Sequence, residues 1–198
     1  MKIKSKFIIL VCCLFLISLL SACGKSEKTP DVGGAVSLVK SYGTLDELVS
    51  NAVEIVEINV LNQETFTYKD IPFTISSVTV LSTLKGSVLK GDTIRIVETG
   101  GEYNPTDKEG KALPKTTFKL NGIPVLEKGE HDIIMLSKFI GPQIEGEAYT
   151  PLGVYQGRFR FDSSGQLIQQ APDKERLKDY KISKIDVFTE IINSKIDN

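Results

Sequence analysis

The sequence predicts a mainly β domain: a small barrel or a strongly curved antiparallel sheet, with a short N-terminal helix and a C-terminal amphipathic helix. Short runs rich in β-branched residues recur along the chain, separated by turns that contain glycine. Two of these runs change the phase of their apolar residues midway, as strands do where a bulge makes a sheet curl. A helical spacing of apolar residues occurs at each end of the predicted domain.

The first 23 residues have the order of a secretory signal. Three lysines precede an apolar run from Phe7 to Leu20, and small residues then lead to a cysteine. The tetrapeptide L-S-A-C that ends at Cys23 resembles the lipobox of bacterial lipoproteins, in which the cysteine thiol takes a diacylglyceryl group and the chain is cut just before it. The resemblance implies a signal peptide at residues 1–22 and a covalent lipid at Cys23.

Two alternatives to this interpretation remain. One is an uncleaved membrane helix, although a span needs about 20 apolar residues and this run is shorter. The other is a plain secretory signal in which Cys23 is coincidental.

A lipid at Cys23 places the protein at the cell membrane, on its extracytoplasmic face. A diacylglyceryl group supplies two acyl chains, and two chains anchor a protein stably where one does not. Residues 23–34 are polar, charged and rich in turn-forming residues, so we expect a flexible tether there. Residues 35–198 are numerous enough for a single domain with a hydrophobic core.

The cysteine content and the net charge of the chain exclude several classes of function. Cys12 and Cys13 would leave with the signal and Cys23 would carry lipid, so the mature domain has no thiol for a disulfide or a metal. The signal contains three of the 24 basic residues, and the 21 that remain face 25 acidic ones, a net charge of −4. No basic cluster of the kind that neutralises phosphates survives, so we expect no nucleic-acid partner.

The domain is expected to begin and end with a helix. Thr44 and Glu47 are spaced as a capping box. The apolar residues that follow share one helix face: Leu45, Leu48, Val49 and Ala52. Near the C-terminus, Ser183 is expected to cap a helix. Its apolar stripe comprises Ile185, Phe188, Ile191 and Ile192.

Between the helices the apolar patterns predict six strands, at residues 53–61, 72–84, 93–98, 132–140, 156–161 and 166–169. Residues 62–70 are expected to be a polar connection. In the first strand Glu54 and Glu57 fall on opposite faces, which indicates a bulge. In the second, the phase change between Ile75 and Val78 places a bulge at Ser76-Ser77.

The strands and turns from Val53 to Gly101 resemble the netrin-like, TIMP-like variety of OB barrel and secreted bacterial proteins of that architecture. The resemblance rests on F-T-I-S-S-V-T-V, on the turns L-K-G and K-G-D, and on T-G-G. It implies an OB-like barrel. Animal members have an N-terminal disulfide-tied cysteine that reaches a protease metal. This chain has no matching cysteine, so the resemblance carries over no inhibitory residue.

Known catalytic and metal-binding motifs are not found in the sequence. His131, the only histidine, follows a charged turn and is expected to be a solvated residue rather than a general base or a ligand. One imidazole cannot complete a zinc site. Asn104, Asp107 and Glu109 lack the order of an EF-hand. We therefore expect no catalytic residue, no metal and no cofactor other than the lipid.

Pairs of carboxylates are the remaining catalytic candidates, because glycosidases act with two of them. The nearest pairs are Glu98 with Glu102, and Glu145 with Glu147. Both lie in glycine-containing stretches where solvated acids are typical. A hydrolase is therefore the alternative and not the primary expectation.

Two segments are candidates for recognition. Thr99 to Glu130 is longer than ordinary connections, and such segments are functional or disordered, unless its aromatic residues belong to a further strand. Residues 149–159 offer aromatic and basic side chains, unless they form the entry to a strand that places Phe159 and Phe161 in the core. The candidate recognition surface comprises Tyr103, Phe118, Tyr149, Tyr155 and Arg158.

The sequence thus predicts a lipid-anchored protein that acts as a non-catalytic binding or interaction module of the cell envelope. Its partners would be the membrane, through the anchor, and an envelope protein or a small ligand. The alternatives are an envelope hydrolase that uses carboxylates and a passive spacer or immunity-type lipoprotein. Buried acids clustered in a cleft would favour the hydrolase, and an exposed apolar patch would favour binding.

Overall fold

The structure is a computed structural model that describes residues 31–34 and 40–196, and strands predominate in it. The strands are β1 (Asp31–Gly34), β2 (Glu54–Tyr68), β3 (Ile71–Lys85), β4 (Thr93–Thr99), β5 (Gly101–Tyr103), β6 (Thr116–Leu120), β7 (His131–Lys138), β8 (Tyr149–Pro151), β9 (Arg158–Phe161), β10 (Gln166–Gln169) and β11 (Ser183–Lys184). The helices are α1 (Leu45–Asn51) and α2 (Ile185–Ile196), with a short 3-10 helix at Asp173–Glu175. The predicted mainly β fold, with a helix near each end, is confirmed. The predicted signal peptide and Cys23 lie outside the described residues.

Five strands form a closed ring, which we call the barrel. β2 pairs with β3 and β7, β3 pairs with β4, and the short strand β8 joins β4 to β7. Strands β9, β10 and β11 continue the sheet beyond β7. The predicted strong curvature is confirmed. The sheet is mixed rather than antiparallel, because β8 runs parallel to β4 where Ile96 faces Tyr149.

A long hairpin replaces the predicted polar connection at residues 62–70. β2 continues to Tyr68, and β3 begins at Ile71. The two residues between them, Lys69 and Asp70, have positive φ angles of 49° and 61°. Such angles are typical of a two-residue hairpin turn that matches the twist of its strands. The prediction was wrong because the threonine and aromatic residues before the turn favour a strand even where their side chains are exposed.

Bulges bend this hairpin: the bulge indicated for the first strand is present, but the one predicted for the second strand does not lie at Ser76-Ser77. The β2–β3 register skips Leu61 in β2, and Leu81 and Leu84 in β3. Ser76-Ser77 pairs with β4 in unbroken register, so no bulge lies there.

The phase change in β3 arises because both faces of the strand are covered. Val78 and Val80 point into the barrel core. Ile75 packs on the outside with Val97 and Ala148. Strand β3 therefore places apolar residues in two separate cores, one on each of its faces, without a bulge.

The barrel core is apolar and fully enclosed. It is formed by residues from β2, β3, β4, β7 and β8, together with one leucine from a loop. Its buried members are Val56, Ile58, Val60, Val78, Val80, Ile94, Ile96, Leu126, Ile134, Leu136 and Tyr149. The predicted alternation in β7 is confirmed, since Ile134 and Leu136 face this core while Ile133 and Met135 face the helices.

The helices cover the opposite face of β2 and β7. Thr44 caps α1 by accepting a hydrogen bond from the Glu47 backbone N–H at 3.3 Å, as predicted. The predicted apolar face of α1 is buried. Ser183 does not cap α2, because it lies in strand β11 opposite Leu167 and the helix begins only at Ile185.

A smaller sheet of three strands, in the order β1-β6-β5, lies beside one end of the barrel. Its strands β5 and β6 belong to the segment Thr99 to Glu130, which is therefore not a structureless connection. β1 pairs with β6 in parallel and is formed by the last four residues of the predicted tether. Strand β1 thus lies within the segment predicted to be a flexible tether.

Leu126 provides a test of the barrel core. Its side chain is 0 % exposed, so Leu126→Ala is expected to lower the free energy of unfolding by about 2–5 kcal/mol through lost burial and a residual cavity. The matched control is Leu89→Ala, because Leu89 is 68 % exposed and its truncation is expected to change stability by about 0.5 kcal/mol or less. Urea unfolding of both variants measures the difference. Equal effects would contradict the enclosed core.

Candidate functional site

One end of the barrel is where the inner face of the sheet changes from apolar to polar. Along β3 the inner residues are Val80, Val78, Ser76 and Thr74, so two valines are followed by two hydroxyl residues. Ser76 and Thr74 are buried, and each is hydrogen-bonded: Ser76 Oγ accepts from Gln63 Nε2 at 2.9 Å, and Thr74 Oγ1 donates to the Gly100 carbonyl at 2.8 Å. The boundary between the two kinds of side chain marks the end of the core.

Residues 124–126, which we call the closing segment, cover this end. Leu126 inserts its side chain into the barrel core. Its backbone N–H donates to Glu98 Oε2 at 2.8 Å, and its carbonyl accepts a hydrogen bond from Gln63 Nε2. Both polar groups of this buried backbone unit are thus satisfied by side chains of the barrel strands, as burial requires.

Arg158 holds the same segment from the side of β9. It lies opposite Ile134 of β7, so its side chain is on the inner face of the sheet. Nη1 donates to Glu98 Oε1 at 2.9 Å and to the Pro124 carbonyl at 2.7 Å. The Arg158 and Glu98 side chains are only 1 % and 4 % exposed, so this ion pair is almost completely removed from water.

Three further charged residues join this ion pair. Arg160 Nη2 donates to Glu130 Oε2 at 2.6 Å, and Asp132 lies 3.8 Å from Arg158 Nη2 and 3.6 Å from Arg160 Nε. We call the five residues Glu98, Glu130, Asp132, Arg158 and Arg160 the charge cluster. It contains three carboxyl groups and two guanidinium groups.

Asp132 is the least satisfied member of the charge cluster. Its side chain is 0 % exposed, and neither carboxyl oxygen accepts a hydrogen bond within the described part of the chain. Burial raises the pKa of Asp132 from 3.8 to about 7, although the guanidinium groups of Arg158 and Arg160 oppose this rise. Burial also raises the pKa of Glu130. Asp132 therefore changes its charge near neutral pH.

An open cleft of 1020 Å³ lies on the outer side of the closing segment, between the barrel hairpin and the smaller sheet. Gln63, Thr65 and Thr74 line it from the hairpin, and Phe118 lines it from β6. Val125 contributes the outer surface of the closing segment. Lys115, Lys119, Glu102, Glu127 and Asp31 also line the cleft.

Gly101 allows the smaller sheet to approach the hairpin closely. A Cβ atom at this position would lie 2.2 Å from Thr74 Oγ1, and the φ angle of Gly101 is 108°. Both facts favour glycine. Gly101 pairs with Phe118, and paired residues in a sheet share a face, so Phe118 lies on the face of the smaller sheet that approaches Thr74 at Gly101.

Three residues of the predicted recognition surface are buried, which corrects that prediction. Tyr149 belongs to the barrel core, Arg158 to the charge cluster, and Tyr155 is 2 % exposed. The Tyr155 hydroxyl donates to a Glu175 carboxylate oxygen and accepts from Asn121 Nδ2 at 2.6 Å. The polar atoms that neighbouring strands and loops satisfy are the Tyr155 hydroxyl and Arg158 Nη1.

The other two predicted residues lie on strands of the smaller sheet. Phe118 of β6 is half-buried and lines the cleft. Tyr103 of β5 is half-buried and lies outside the set of residues that line it. Of the predicted surface, the structure therefore brings only Phe118 to the cleft.

The predicted solvated histidine lies in a strand instead of a turn. His131 is the first residue of β7, and its Nε2 lies 2.7 Å from Glu57 Oε1. Its ring packs on Phe161 at a centroid distance of 4.2 Å. His131 is thus a partly exposed structural residue with two partners.

The predicted carboxylate pairs are divided between different environments. Glu98 is buried against Arg158, whereas Glu102 forms an exposed ion pair with Lys115. Glu145 and Glu147 are both exposed. No cluster of three or more histidine, cysteine, aspartate or glutamate residues suited to a metal occurs among residues 31–34 and 40–196.

Asp107, considered for a calcium loop, has a local role. Its Oδ1 accepts hydrogen bonds from the backbone N–H groups of Glu109 and Lys111. The carboxylate therefore stabilises a turn.

Sequence reasoning missed Gln63, Thr65, Thr74 and the closing segment. A signal was present in β3, where T-x-S-x-V-x-V places two hydroxyl residues and two valines on one face. Reading alternate positions of that run would have located the polar end of the barrel. The pairing of Glu98 with Arg158, 60 residues apart, carried no comparable signal.

Comparisons with protein-family models, with curated proteins and with solved structures each find no match for this chain.

Asp132 provides a test of the charge cluster. Because its pKa is raised in the folded state, the folded protein retains a proton that the unfolded chain releases between about pH 4 and pH 7. Stability from this residue is therefore present below pH 4 and lost as the pH rises to about 7. Asp132→Asn, which stays neutral, is expected to raise the free energy of unfolding at pH 8 by roughly 2–4 kcal/mol and to change it little at pH 4.

Thermal and urea unfolding between pH 4 and pH 8 measure this effect. Asp173→Asn is the matched control, because the Asp173 side chain is 92 % exposed. A variant at Asp132 that is destabilised equally at both pH values would show that the carboxylate is ionised and required.

Proposed function

We propose that this protein is a lipid-anchored, extracytoplasmic lipoprotein that acts as a non-catalytic binding module of the cell envelope. The cleft between the barrel hairpin and the smaller sheet is the binding site, and it is the observation that carries the proposal. Its 1020 Å³ lies at the upper end of the range of about 300–1,000 Å³ for ligand sites.

The sequence of the first 23 residues supports the anchor. A positive start, an apolar run and L-S-A-C follow in the order of a lipoprotein signal. No helix in the described ranges, 31–34 and 40–196, is long and apolar enough to cross a membrane.

The position of Asp31 relates the anchor to the cleft. Asp31 both begins β1 and lines the cleft. Only residues 24–30 separate it from Cys23, and a chain of eight Cα steps spans at most about 26–29 Å. An anchor at Cys23 would therefore keep the cleft close to the membrane surface.

The buried acids do not favour the hydrolase. Although Glu98, Glu130 and Asp132 are clustered, Asp132 is 0 % exposed and arginine side chains lie among the carboxyl groups. The cavity that borders Glu98 and Arg158 has a volume of only 10 Å³, which is about the space of one water molecule. A substrate could not reach these acids without displacement of the closing segment.

The N-terminus of the mature protein tests the anchor. Mass spectrometry of the protein from its native membranes is expected to show a chain that begins at Cys23 and carries a diacylglyceryl group. An unmodified Cys23, or a chain that begins at Met1, would contradict this part of the proposal.

Occupancy of the cleft in the envelope can be tested without knowing the ligand. Glu127 is exposed and lines the cleft, so Glu127→Cys introduces a thiol at the site. If a ligand is present at three times its Kd, maleimide should label this thiol about fourfold more slowly in native membranes than in the purified protein.

Thr93→Cys is the matched control, because Thr93 is exposed at the other end of β4 from the cleft. It should be labelled at the same rate in both preparations. The parental chain should not be labelled, since the Cys23 sulfur would be a thioether. Equal labelling of Glu127→Cys in both preparations would contradict the binding proposal.

A further inference from the structure

The charges that line the cleft are largely neutralised within it. Lys119 Nζ lies 2.5 Å from Asp31 Oδ2, and Lys115 forms an ion pair with Glu102. Glu127 adds an exposed carboxylate. With two lysines and three acids, the lining has no surplus of positive charge, so it does not suit an anionic ligand.

The hairpin side of the cleft is polar and uncharged. Gln63 and Thr65 present one amide and one hydroxyl group on β2, and Thr65 pairs directly with the buried Thr74 of β3. The amide and hydroxyl oxygens retain lone pairs that can accept further hydrogen bonds. This side of the cleft can thus bond neutral hydroxyl groups of a ligand without the cost of burying a charge.

Phe118 lines the cleft from β6. Its ring is half-buried and shares a face with Gly101, which has no side chain to cover it. An aromatic ring contributes a large apolar contact area at a modest cost in ordering. The cleft therefore combines a ring on one wall with hydroxyl and amide groups on the other.

We propose that the cleft binds an uncharged oligosaccharide, an inference that rests on the proposed binding function. A sugar ring has an apolar C–H face, which suits Phe118, and a rim of hydroxyl groups, which suits Thr65 and Gln63. The size of the cleft and its openness to solvent fit several linked sugar units better than a single enclosed one.

The test is calorimetric titration of the full-length lipoprotein in detergent with three neutral probes: chitohexaose, cellohexaose and maltohexaose. At least one should bind, and the anionic probe hexagalacturonate should bind more weakly. Thr65→Val removes a hydroxyl from an exposed position and should weaken binding about three- to tenfold. Thr93→Val, the matched control, should leave it unchanged.

Phe118→Leu removes the ring but keeps an apolar side chain, and it should weaken binding about tenfold. Since Phe118 also packs against Leu120 and Tyr155, the melting temperature of the Phe118→Leu variant is measured in parallel. If that variant is destabilised, Thr65→Val decides the result. An unchanged affinity for Thr65→Val would overturn the assignment of the ligand to this cleft.

Maleimide labelling and calorimetry together separate this inference from the proposed function. If no neutral probe binds while Glu127→Cys remains protected in native membranes, the cleft is a binding site and the oligosaccharide class is wrong. Equal or tighter binding of hexagalacturonate would likewise overturn the neutral class. If Glu127→Cys is unprotected and no probe binds, both proposals fail.

Discussion

The closed end of the barrel depends on the buried ion pair between Arg158 and Glu98. Each partner also holds the closing segment: Arg158 donates to the Pro124 carbonyl, and Glu98 accepts from the Leu126 N–H. Removing two charges from water costs several kcal/mol per ion, and loss of one partner from a buried pair costs about 3–5 kcal/mol because the other is left uncompensated. The pair therefore fixes one position of the closing segment more than it adds net stability.

The remaining members of the charge cluster make the charge of this region depend on pH. With all groups ionised, three carboxylates face two guanidinium groups, and Asp132 is buried without a hydrogen bond in the described part of the chain. Burial raises the pKa of Asp132 to about 7, so below that pH the cluster approaches a balance of one carboxylate for each guanidinium. Glu98 and Glu130 are thus stabilised by ion pairs with Arg158 and Arg160, whereas Asp132 is stabilised by holding a proton.

The sequence predicted helices and strands correctly where apolar residues recur at a fixed spacing. The capped face of α1 and the alternation in β7 are examples, because side chains at fixed spacing determine which face is buried. The exposed half of the β2–β3 hairpin was missed because its polar residues have no apolar period. Burial of Tyr155 and Arg158 was also missed, since their partners Asn121, Glu175 and Glu98 are distant in sequence. Phe118 was identified from its residue type, but its place in the cleft follows from pairing with Gly101.

The closing segment connects the core to the cleft because its neighbouring residues face opposite sides. Leu126 fills the barrel, and Val125 lines the cleft only one residue away. The side chains that fix Leu126 therefore also fix this wall of the cleft. Gln63 makes the same connection from β2, since its amide holds the Leu126 carbonyl while the residue lines the cleft. A buried ion pair and a polar strand end thus fix one wall of the cleft, and a wall fixed in advance would lower the ordering cost of binding at the proposed site.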